Sequence, residues 1–91
     1  MMYDLEDEVA KGNKAAEVVR NEEFQNAFEA LEEYYLEQWK RSEPEDVALR
    51  ERLYIAAGTL HHIRLHLESL MMTGKMASEQ IEAGSVKTPL H

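Results

Sequence analysis

Three histidines, His61, His62 and His66, come nearest in this chain to residues whose types and spacing could do chemistry. His62 and His66 stand four apart, so a helix carries both imidazoles on one face, a geometry that can hold Zn²⁺. A zinc centre needs a third ligand and, for catalysis, an open position. The chain has no H-E-x-x-H and no cysteine, and Glu68 does not share the histidine face cleanly. The histidines therefore read as lining a solvated or interfacial face, where protonation in mildly acidic solution would loosen a contact.

The carboxylates invite two further readings. Acid–base catalysis needs a concave pocket, and the run Glu29, Glu32, Glu33 and Glu37 sits on one convex helix that offers none. Acids over residues 22–37 could instead imitate phosphates in a protein's nucleic-acid groove, beside the plainer reading of a solvated face. Tyr34, Tyr35 and Trp39 form an aromatic group, in which Tyr35 is expected in the core and Trp39, near a turn, against another chain. No glycine-rich phosphate loop or nucleophile elbow is present. The sequence predicts no catalytic residue, no cofactor, no metal and no enzyme.

The elements that carry these residues are helical. Leu49, Leu53, Ala56, Leu60, Ile63, Leu67 and Leu70 follow at steps of four and three, one apolar stripe able to mesh with a second helix. Phe24, Ala27, Phe28, Leu31, Tyr34, Tyr35 and Trp39 form a similar stripe, begun by Asn21 as N-cap with Glu22 and Glu23 in the first turn. Between the two stripes, Ser42-Glu43-Pro44-Glu45 reads as a capping box with proline in the first turn of the second helix. Gly74 then reads as its C-cap. The expectation is an all-α fold: an antiparallel helical hairpin with helices at about 22–41 and 43–73 and a turn at 41–43.

Residues 1–20 are expected as an arm with one or two short helices, interrupted at Gly12-Asn13, which completes a single domain over 1–74. Residues 75–91 are expected as an extended C-terminal arm with Met76 and Ile81 as anchors. At 1.5 Å per residue the second helix is about 46 Å long and the first about 30 Å, leaving roughly a third of the seam uncovered. Pairing outwards from Ser42 sets Tyr35 level with Leu49, Leu31 with Leu53, Phe28 with Ala56 and Phe24 with Leu60. Ile63, Leu67 and Leu70 are left for the N-terminal segment or for another chain.

The second helix carries a neighbouring line of Val47, Tyr54, Ala57, His61, Leu65 and Met72. With Trp39, this is more apolar surface than one partner helix hides, and it reads as a partner interface, with cover by the N-terminal segments as the alternative. Ala56-Ala57-Gly58-Thr59 suggests a slight bend or a close helix crossing, the crossing within the hairpin, with an interchain crossing as the alternative.

Composition limits the partners. Of 91 residues, positions 1–46 hold 14 of the 18 acids and 5 of the 10 Lys and Arg, so the net charge of -8 sits in the first half. Scattered cations argue against direct nucleic-acid binding. No segment approaches the roughly 18 apolar residues of a membrane span, and the acidic start is unlike a signal peptide. A cytosolic protein, or one carried within a particle made in a cytosol, is expected.

The run from Val18 to Ala77 also resembles a class of small phage and prophage proteins encoded among head and packaging genes. Its carriers are residues 21–28 (Asn21-Glu22-Glu23-Phe24-Gln25-Asn26-Ala27-Phe28), then Leu31, Trp39, the acidic turn Ser42-Glu43-Pro44-Glu45-Asp46, Arg50-Glu51-Arg52-Leu53, and residues 67–75 (Leu67-Glu68-Ser69-Leu70-Met71-Met72-Thr73-Gly74-Lys75). The resemblance implies a helical phage protein and no mechanism. Together these readings give a non-enzymatic structural or assembly protein, self-associating as a homo-oligomer in particle assembly, packaging or head-to-tail attachment and able to meet other phage structural proteins. The alternative is an acidic inhibitor that mimics nucleic acid and binds a host nucleic-acid-handling protein.

Overall fold

The computed structural model describes residues 4–86. They form three helices, α1 (Leu5–Arg20), α2 (Glu22–Arg41) and α3 (Val47–Val86), and no strand, so the described chain is all-α. Among the described residues no helix is long and apolar enough to cross a membrane.

Each helix start has a local cause. The Asp4 carboxylate accepts from the Glu6 backbone N–H at 3.1 Å, and Glu6, Asp7 and Glu8 follow in the first turn, where the helix dipole favours acids. Asn21 caps α2 as its sequence suggests, accepting from the Phe24 N–H at 2.9 Å. The capping box expected at Ser42 does not form. Ser42 instead closes α2, with its N–H and its hydroxyl both donating to the Trp39 carbonyl, at 3.1 and 2.6 Å.

Residues 43–46 are a turn closed by Asp46 N–H to the Glu43 carbonyl at 2.9 Å, and Pro44 supplies the fixed φ of its second position. Asp46 is the cap of α3, accepting from Leu49 N–H at 3.1 Å. The second long helix thus starts at Val47 and not near Glu43.

Two expected breaks are also overturned. α1 runs through Gly12-Asn13 as one helix of 16 residues, and α3 runs through Gly74 for 40 residues to Val86. Of the arm expected at 75–91, residues 75–86 are helix and 87–91 lie outside the described residues.

The chain divides into two compact units, one of α1 with the second half of α3, the other of α2 with the first half of α3. In the first, the two glycines explain why no break occurs. A β-carbon at Gly12 would stand 2.9 Å from the Gly74 Cα and 2.9 Å from the Leu70 carbonyl oxygen; one at Gly74 would stand 2.9 Å from the Gly12 Cα and 3.0 Å from the Glu8 carbonyl oxygen. The glycines are where two helix backbones touch. Ala15 and Ala77 are buried beside them, so small side chains line the crossing. Met76 and Ile81, the expected anchors, are exposed; Ala77, three places on from Gly74, shares its face and is buried.

In the second unit, Phe28 is buried against Phe24, with ring centroids 4.6 Å apart. The register differs from the pairing centred on Ser42. That pairing sets Phe28 level with Ala56 and Trp39 level with Glu45, whereas Arg64 reaches over the Phe28 ring and Arg50 lies 3.8 Å from the Trp39 ring centre. A shift of about one turn follows from the longer link, since α3 begins four residues later than expected.

Replacing either touching glycine is expected to overpack a backbone contact. Gly12→Ala and Gly74→Ala should each lower stability by about 1–3 kcal/mol in urea denaturation. Gly84→Ala has nothing within 4 Å of the new methyl. It should raise stability by a few tenths to about 1 kcal/mol through helix propensity alone.

Candidate functional site

The surface with most to offer a ligand lies in the unit of residues 20–65. Ser42, at the end of α2, accepts two hydrogen bonds from the Arg50 guanidinium, through its carbonyl at 3.4 Å and its hydroxyl at 3.2 Å. The same guanidinium stacks on Trp39. One cation therefore ties the link to both helices and holds the indole in place, a contact of about 0.5–1 kcal/mol at a part-exposed site.

Farther along, Arg64 pairs with Glu32 through both guanidinium ends, at 3.1 and 3.4 Å, with each side chain more than a third exposed. Glu32 is thus not a member of a purely solvated acidic face. Glu29, Glu33 and Glu37 remain exposed at steps of four, a row of like charges that mildly disfavours the helix and repels other acidic surfaces.

Between these two cation contacts an open groove of about 440 Å³ is walled by Tyr35, Leu36, Trp39, Leu53, Tyr54 and Ala57, with Glu32 at its rim. A second depression, of about 530 Å³, has Tyr54, Ile55, Gly58, His61 and His62 among its walls. The walls are apolar with few polar atoms, which suits another helix better than a polar substrate. The His61 and His62 ring centres are 6.1 Å apart. Among the described residues no three His, Asp or Glu side chains come together to hold a metal ion.

Of the residues expected at an interface, Val47, Tyr54, Leu65, Met72, Trp39 and His61 are exposed and Ala57 is half-buried. Tyr54 is the most open, at 75%. Of those expected in the core, Phe28 is buried, while Phe24, Tyr35, Leu49, Leu53, Ala56, Leu60, Leu67 and Leu70 are half-buried. Leu31 and Ile63, also expected in the core, are exposed at 41% and 44%. The close crossing expected at Gly58 within the chain does not occur: a β-carbon there would meet nothing within 4 Å.

Sequence reasoning missed Arg50, Arg64, Leu36 and Ile55. Arg64 did carry a signal, being the one Lys, Arg, Asp or Glu between Leu53 and Leu67, on a face otherwise apolar. A charge so placed needs a carboxylate across from it.

Set against known protein families, curated proteins and solved structures, the chain matches none of them.

The Arg64–Glu32 pair gives a measurable test of this surface. Glu32→Gln and Arg64→Gln should each cost about 0.2–1 kcal/mol of stability, and a double-mutant cycle should return a coupling of similar size. Zero coupling would mean that solvent screens the pair completely.

Proposed function

We propose that this protein is a non-enzymatic structural or assembly protein of the phage type, acting through helix–helix self-association in particle assembly, packaging or head-to-tail attachment. In this reading α2 and the first half of α3 act as an antiparallel helical hairpin that presents its apolar side to other copies. The protein works in the host-cell cytoplasm or within the virion.

The observation that carries the reading is the exposure of large apolar side chains. Among the described residues only Ala15, Phe28 and Ala77 are buried apolar side chains, while Tyr34, Leu36, Val47, Tyr54, Ile55 and Met72 are each more than half exposed. Soluble monomers rarely leave contiguous apolar surface uncovered, and burying a Leu or Tyr side chain gains about 1.5–3 kcal/mol. The sequence resemblance to small phage head and packaging proteins supplies the setting.

Size-exclusion chromatography with light scattering should give a mass above 10.5 kDa that rises with concentration. Leu65→Glu should lower that mass while leaving the helical circular dichroism unchanged. A single 10.5 kDa species at high concentration, indifferent to Leu65→Glu, would remove self-association from the proposal. Detection of the chain in purified particles tests the assembly role separately.

A further inference from the structure

Gly58 differs from Gly12 and Gly74 in one respect: among the described residues nothing lies within 4 Å of where its β-carbon would stand. A glycine inside a helix weakens it relative to alanine, and here no neighbouring backbone uses the room that the missing side chain leaves. Tyr54, one turn earlier, and Leu65, two turns later, share its face of α3, and both are exposed. From Leu53 to Leu65 the one Lys, Arg, Asp or Glu is Arg64, which Glu32 engages. The stretch is a helix face with a recess, two projections and no formal charge outside that ion pair.

We propose that a second copy of this chain seats on this face, α3 against α3 in opposite directions, on a two-fold axis level with His61 and His62. The proposal rests on the self-association put forward above and specifies its contact. A two-fold contact is self-complementary, and with the axis at that level each copy's Leu65 lies opposite the other copy's Gly58. A projection meets a recess twice.

For a copy of the same chain, charge favours this face over α2. With a net charge of -8, copies repel one another through the acids of α2, and an approach along residues 53–65 of α3, where Arg64 is the one Lys, Arg, Asp or Glu, keeps those acids apart. The area also reaches the needed size. On α3, Val47, Tyr54, Ile55 and Leu65 are between 46% and 75% exposed. Taking about 200 Å² for a large side chain, they offer roughly 500 Å² per copy, which matches the ~1,000 Å² in total that a specific interface has to bury.

The full chain has no cysteine, so nitroxide labels on single variants report distances between copies. With 1.5 Å of rise per residue, labels on His62→Cys should lie within about 20 Å of each other and labels on Ala48→Cys about 40 Å apart. Gly58→Ala should raise the dissociation constant by about tenfold or more by filling the recess, while Gly84→Ala, equal in helix propensity, should change it by less than about twofold. An associated chain in which the two alanine variants dissociate alike, or in which Ala48→Cys labels lie closer than His62→Cys labels, overturns this pairing and leaves self-association standing. A wild-type chain that is monomeric at every concentration overturns both.

Discussion

The contact between Gly12 and Gly74 is the constraint on which the unit of α1 and the second half of α3 depends. Two backbones approach until each glycine stands where the other's β-carbon would be, with the Leu70 and Glu8 carbonyls against the crossing point. At that separation peptide groups gain dispersion contact and weak Cα–H···O attraction that larger side chains would prevent. Two mid-helix glycines cost about 1 kcal/mol each in propensity, an expense that the close approach offsets. Ala15 and Ala77 extend the same small-residue surface.

The unit of α2 and the first half of α3 is held differently. Its one buried apolar side chain among the described residues is Phe28, and the remaining stripe residues are half-buried at best. Two arginines supply specificity that a thin core does not. Arg50 binds the link and stacks on Trp39, and Arg64 spans from Glu32 to the Phe28 ring. Each such contact is worth about 1 kcal/mol or less at part-exposed positions. They orient the helices more than they stabilise them, and the apolar side chains left open form the surface available to a partner.

Gly12 and Gly74 show what a mid-helix glycine does in this chain when a backbone lies against it, and Gly58 has the same residue type with that place open. Its neighbours Tyr54 and Leu65 are exposed on the same face, in a stretch nearly free of charge. Packing among the described residues leaves the place beside Gly58 open.

The sequence by itself determined the helical class, the Asn21 cap, the end of α2 near Arg41 and the apolar stripe of α3, because caps and periodicity act over one or two turns. Tertiary structure decided the rest. Whether Gly74 ends a helix or lets another cross it is a question of what lies across from it, and an isolated glycine carries the same local signal in both cases. Ser42 and Asp46 both offer a capping oxygen, and the turn at Pro44 selected Asp46 for α3, which moved the register. Glu32 and Arg64 are 32 residues apart, so their pairing became legible only once two helices stood side by side.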